Sequence, residues 1–207
     1  MNRLAGTELL ADAMPSATLD PTTRKIDLPD GYSLFLTDSV GFIRNLPTHL
    51  VAAFHSTLEE VAYSDLAIHV VDVSHPNWEG QHDSVVETLE ALGAGDKPVI
   101  RVFNKTDRAD RIIVQDLLET WPGSVAISAL TGQGVEDLMS ALVRQVRALL
   151  DFVRALVPYS ESALVQECYD YGRVLALDYR EDGILVEAEV VAEMRQKLEP
   201  FAEPNRP

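Results

Sequence analysis

Val99-Ile100-Arg101-Val102-Phe103-Asn104-Lys105-Thr106-Asp107 is an apolar run that breaks off into four polar residues. A short β-prone run of this kind reads as a buried strand. The polar tetrad then sits at the strand's carboxyl end, where parallel α/β sheets bind their ligands. An Asp carboxylate offers two acceptors side by side, which match the adjacent N1–H and N2–H donors of guanine; adenine lacks that pair. Asn104 can hydrogen-bond the imidazole edge of the base, and the alkyl stem of Lys105 can lie along its plane. Three fixed residues arise by chance about 0.03 times in a chain this long. The guanine reading therefore outweighs the plainer one, a polar turn in which Asp107 caps a helix.

Working outward, residues 67–73 form a second apolar run of buried-strand type, and helical patterns follow each run, at 83–92 and 112–119. A short strand at 124–127 and a helix at 135–150 complete the alternation. Upstream, strands at 23–28 and 32–36 flank the turn Pro29-Asp30-Gly31 as a hairpin. Val51, Phe54, Leu58 and Val61 recur at helical spacing. Helices alternating with parallel strands predict a three-layer α/β domain over residues 1–150. The pattern then changes: a strand at 152–157, a helix at 162–168, and strands at 173–179 and 184–190 joined by Glu181-Asp182-Gly183 predict a small α+β (βαββ) domain over 151–203. A further helix falls at 191–201, and residues 204–207 form a tail.

Two more loops follow predicted strands. Asp38-Ser39-Val40-Gly41 has the Asp-x-x-Gly form in which the carboxylate holds a metal-bound water and the glycine amide reaches a terminal phosphate. By itself this is a common pattern and a turn would explain it. Ser128-Ala129-Leu130 follows the strand at 124–127, and its backbone amides are placed to meet a guanine carbonyl. The order of the three loops makes each more informative than it is singly.

Bulk composition narrows the classes. Seventeen basic and thirty-three acidic residues give a net charge of -16, which disfavours binding driven by bulk attraction to phosphate backbones. Cys168, the single cysteine, excludes an internal disulfide and reads as a buried apolar residue, compatible with a reducing cytosol. No apolar run approaches the roughly 18 residues that span a bilayer. A cytoplasmic monomer without a membrane span is expected.

Ser16-Ala17-Thr18-Leu19-Asp20-Pro21-Thr22-Thr23-Arg24, Leu36-Thr37-Asp38-Ser39-Val40-Gly41-Phe42-Ile43-Arg44-Asn45-Leu46-Pro47 and Phe54-His55-Ser56-Thr57-Leu58-Glu59-Glu60 closely resemble the switch regions of HflX-type GTPases. The likeness runs through nearly the whole chain. It implies a P-loop GTPase G domain followed by the small C-terminal domain, and a GTP-hydrolysing factor that acts on the large ribosomal subunit in rescuing or splitting stalled ribosomes. By that resemblance GTP or GDP would be held by Ser16, Ala17, Thr18, Leu19 and Asp20, by Asp38, Ser39, Val40 and Gly41, by Asn104, Lys105, Thr106 and Asp107, and by Ser128, Ala129 and Leu130. Thr18 would ligate Mg2+ directly and Asp38 through a water. Phe42 stands where many small GTPases carry a water-orienting glutamine, and a phenyl ring cannot do that work; the alternative is simple packing in a switch loop. No catalytic side chain is assigned.

The resemblance also exposes a gap. Gly-x-x-x-x-Gly-Lys-Ser/Thr, whose amides and lysine cradle phosphates, does not occur in these 207 residues. In the family it precedes an Asn-x-Leu-x-Gly stretch, and here Met1-Asn2-Arg3-Leu4-Ala5-Gly6 opens the chain. The G domain is thus expected to be incomplete, without its first strand, its phosphate loop and the family's N-terminal domain, leaving two open inner sheet edges. Three explanations stand: a start placed at an internal methionine, a true fragment or decayed gene, or a pseudo-GTPase that serves as a non-catalytic interaction module. By itself the chain is expected to show little or no hydrolysis.

Overall fold

The computed structural model describes Leu4 and residues 22–38, 61–91 and 93–203. Their backbone contacts group into two compact units, Met1–Leu28 with Ser33–Leu142, and Pro29–Tyr32 with Val143–Pro207. The expected helix at 50–63 lies outside the described residues except for its last turn, 61–63.

In the first unit, β1 (Thr22–Asp27) and β2 (Ser33–Asp38) pair antiparallel, Thr22 opposite Asp38 and Asp27 opposite Ser33. Asp30 (φ 64) and Gly31 (φ 78) take the left-handed conformation at the tip, the bend that Pro-Asp-Gly favours. β3 (Ala67–Asp72), β4 (Val99–Asn104) and β5 (Val125–Ala126) form a parallel sheet in that order. The helices are α1 (Trp78–Ala91), α2 (Arg111–Thr120) and the part of α3 (Val135–Ala148) up to Leu142. This mixed α/β arrangement with a parallel sheet is the one expected of a partial G domain. Among the described residues β2 and β3 are not paired with each other, so each presents an edge. Phe35 on β2 and Val70 on β3 are exposed apolar residues of these strands.

Burial explains β4. Ile100, Val102 and Phe103 are at most 2% exposed, and each contributes about 1.5–3 kcal/mol. Phe103 packs with Val71, Val73 and Leu117 beneath Trp78 and Trp121. On α3, Leu138, Ala141 and Leu142 are buried at helical spacing. Asp110 caps α2 by accepting from the Ile112 amide at 2.9 Å. α1 begins at Trp78, five residues before the apolar periodicity indicates, because the face that Val85 and Leu89 continue starts with Trp78 and a buried histidine, His82.

Histidine burial was not expected from the sequence. The rings of His69 on β3 and His82 on α1 stack at 4.9 Å, His82 meets the Trp121 ring edge-on, and the Arg101 guanidinium lies 3.9 Å over Trp121. Burial, reinforced by His82 and Arg101, pushes the His69 imidazole from 6.5 down to about 4. Burial and then Arg101 lower His82 as well, against the opposing charge of Asp83. The unfolded chain therefore takes up protons that the folded one refuses, so stability falls as pH drops from about 6.5 to about 4. Allowing for solvent screening, His69 accounts for about 2 kcal/mol of this. Denaturant midpoints at pH 7 and pH 4.5 should show the loss, and His69→Leu should flatten it.

In the second unit β6 (Asp151–Val157), β8 (Gly183–Val190) and β7 (Gly172–Arg180) form an antiparallel sheet with β8 central. Two helices, α4 (Ala163–Asp170) and α5 (Ala192–Leu198), bury Val165, Cys168, Met194 and Leu198 against Ala155, Val157, Val186 and Val190. Cys168 is fully buried, and burial raises its thiol to about 11. The chain closes with an antiparallel bridge of Ala202 to Ala155. Tyr32, also of this unit, is buried; its hydroxyl donates to Glu189 at 2.5 Å and accepts from Arg147 at 2.8 Å.

Candidate functional site

The carboxyl ends of β3, β4 and β5 meet in one cluster of loops. Asp72 and Asn104 are register partners on adjacent parallel strands, and beyond them the backbone is stitched across: Val73 N–H donates to Asn104 C=O, Ile127 N–H to Phe103 C=O, and Thr106 N–H to Ile127 C=O. Lys105 has φ 65, a left-handed bend that turns the chain out of the strand and into a 3₁₀ turn, Thr106–Arg108.

Side chains lock the β4 and β5 loops together. The Ser128 hydroxyl, fully buried, donates to Asp107 Oδ1 at 2.6 Å, and the Ala129 amide donates to Asn104 Oδ1 at 3.0 Å. Asp107 Oδ2 lies 4.0 Å from Arg108 Nε. The loop after β5 is wound on Ser128: its amide donates to Gln133 C=O at 2.9 Å, its carbonyl accepts from Gly132 at 2.8 Å, and its hydroxyl accepts from the Thr131 amide at 3.2 Å. Gly134, at φ +73, lies so close to Ala126 that a side chain there would meet the Ala126 carbonyl.

Of the residues expected at the site, Asn104, Lys105, Thr106, Asp107, Ser128, Ala129 and Leu130 are thus brought together. Asp38 ends β2 as a half-buried carboxylate. Ser16, Ala17, Thr18, Leu19, Asp20, Ser39, Val40 and Gly41 lie outside the described residues.

Asp72 is the addition. Its Oδ2 is 2.6 Å from Lys105 Nζ, and its Oδ1 accepts from both the amide (3.0 Å) and the hydroxyl (2.6 Å) of Ser74. Partial burial pushes this carboxyl up, but the hydrogen bonds from Lys105 and Ser74 outweigh it and hold it below the usual carboxylate range. A carboxylate one residue past the run Ala67-Ile68-His69-Val70-Val71 carries a trace in sequence, yet only the register shows that it faces the Asn104 loop. The pair is half-exposed, so breaking it should cost at most about 1 kcal/mol of stability. Thermal melts of Asp72→Asn test this, with a shift of only a few degrees expected.

Comparison with known proteins bears on the family and the fold. A family model described as 50S ribosome-binding GTPase matches residues 1–105. The GTPase HflX of Lacrimispora saccharolytica is 45% identical over 199 residues, 96% of this chain and 47% of that protein. That of Akkermansia muciniphila is 43% identical over 206 residues, 97% of this chain and 47% of its own length. The chain spans about half the length of the curated relatives it matches. Among solved structures, a GTP-binding protein from Sulfolobus solfataricus in complex with GDP superposes with a TM-score of 0.59 at 28% identity, covering 72% of this chain and 48% of that one. The fold is shared with Era, crystallised with MgGDPNP and 16S ribosomal RNA nucleotides, at a TM-score of 0.52 and 20% identity over 70% of this chain and 50% of that one. Matched by the family model over residues 1–105 and by relatives of one name over nearly all of its length, the chain belongs to the HflX family of GTPases.

Proposed function

We propose that this chain carries the base-recognition half of a GTP-hydrolysing factor that, in a form including a phosphate-binding loop, acts on the large ribosomal subunit in the cytosol. What supports the reading is the pairing of the Asn104–Asp107 loop with the Ser128–Ala129 loop through two hydrogen bonds, Ser128 to Asp107 and Ala129 to Asn104. An amide that accepts through Oδ1 is oriented with Nδ2 as its donor, the polarity needed for the imidazole nitrogen of guanine. A carboxylate held by a buried hydroxyl has its plane fixed before the base arrives. Lys105, tethered by Asp72, would lay its stem beside the base.

Residues 1–150 would form the nucleotide-binding domain and 151–203 a separate small domain. Asp38, a hard oxygen donor at the carboxyl end of β2, suits Mg2+ through a water, and Thr18 would supply the second ligand. Bound there, the metal would neutralise phosphate charge. The matching family's description as 50S ribosome-binding supports the ribosomal partner. Competition binding with a form that carries the phosphate loop tests the base assignment: GDP and GTP should displace a labelled guanine nucleotide, and ATP should not. Equal displacement by ATP would refute it. The 207-residue chain by itself should show little or no GTP turnover, and turnover that disappears in Asp38→Ala would overturn that expectation.

A further inference from the structure

Away from the β-strand ends, α1 and α2 frame a cleft of about 490 Å³ in the first unit. Its apolar surface comes from Trp78, Leu117 and Trp121, and Ile113, 50% exposed, stands on its α2 wall. Three carboxylates, Glu79, Asp83 and Asp116, line it as exposed side chains, and no lysine or arginine does. His82 also lines it, with its ring 4% exposed and its Nδ1 without a hydrogen-bond partner. Arg101 sits over Trp121 but is not among the lining residues.

These features select a ligand. The carboxylates repel phosphate, which disfavours nucleic acid, and attract ammonium or guanidinium groups. Tryptophan rings bury alkyl stems and favour a cation on their faces. The apolar wall formed by Trp78, Ile113, Leu117 and Trp121 is also more surface than a small amine covers. A groove between helices with such a strip fits a peptide segment that carries apolar anchors. We infer that the α1–α2 cleft is a docking site for a basic, apolar-anchored segment of a protein partner, with Lys or Arg side chains meeting Glu79, Asp83 and Asp116 and an apolar side chain entering between Trp78 and Trp121.

The chain contains two tryptophans, and both line this cleft, so intrinsic tryptophan fluorescence reports its occupation. The experiment titrates the full chain with a synthetic peptide of alternating Lys and Leu. Control peptides carry Glu in place of Lys or Ser in place of Leu. Saturable change in tryptophan emission is expected with the first peptide alone. Asp83→Lys/Asp116→Lys, at exposed positions, should weaken binding at least about tenfold. Glu161→Lys/Asp182→Lys, an equal charge change at exposed positions of the second unit, should leave it within about twofold, the residue of general charge attraction. Asp83→Asn/Asp116→Asn should fall between and serves if the reversed pair fails to fold. An equal response to the control peptides, equal loss in the two reversed pairs, or binding without any change in emission would overturn the assignment.

Discussion

Asp107→Asn is expected to exchange guanine selectivity for xanthine selectivity in a form of the protein that carries a phosphate-binding loop. The carboxylate accepts only, which suits the N1–H and N2–H donors of guanine; an amide donates at Nδ2 and suits the 2-oxo group of xanthine. Losing a charge-assisted pair costs roughly 3 kcal/mol, so guanine nucleotides should bind on the order of 100-fold more weakly. The substitution is also structurally mild. Oδ1 survives as the acceptor for Ser128, whereas Asp107→Ala would leave the proton of that fully buried hydroxyl without an acceptor and confound binding with folding. Parallel titrations with GDP and xanthosine diphosphate decide the matter, and retention of guanine preference by Asp107→Asn would exclude Asp107 from base recognition.

Gly134→Ala should be the more damaging change to the fold. At φ +73 an L side chain is already strained, and the new Cβ would collide with the Ala126 carbonyl oxygen, with the carbonyl carbon at 3.1 Å and Ile127 Cα at 3.2 Å. All of these are backbone atoms at the end of β5, so no side chain can rotate away. Relief requires shifting α3 or opening the loop wound on Ser128. A loss of about 3 kcal/mol or more follows, roughly 10 °C in melting temperature for a chain of this size. Gly123→Ala is the matched control: φ is +85, but nothing lies within 4 Å of the added carbon, so about 1 kcal/mol should be lost. Equal melting of the two variants would show that the contact at Gly134 relaxes freely.

The position of the Asn104–Asp107 loop at the end of β4 was legible because an apolar strand and a polar tetrad adjoin in sequence, and the hairpin because Pro-Asp-Gly marks its tip. Asp72 escaped notice because an acidic residue after a strand is common, and only register sets it against Lys105. The start of α1 was misplaced because His82 counts as polar in any hydrophobic pattern, although stacking on His69 buries it. Tyr32 gives no local sign that it packs with Glu189, 157 residues away. The strand at 124–127 shrinks to Val125–Ala126: Ser124 N–H turns back to Trp121, and Ile127, though its amide still donates to Phe103, gives its carbonyl to Thr106 where the chain enters the Ser128 loop. The switch motifs were the most specific part of the resemblance, and those at 39–60 and before 22 lie outside the described residues.

Cys168 offers a chemical clock. It is the chain's one thiol, sealed between α4 and the sheet of the second unit, and its raised pKa keeps it protonated at neutral pH. Neither access nor thiolate is available to an alkylating reagent while that core is closed. Labelling can proceed only through opening, so the rate at which iodoacetamide mass accumulates under native conditions, one adduct per molecule, reports the open population of the second unit where reclosing outpaces alkylation, and not that of the loops at the ends of β3, β4 and β5.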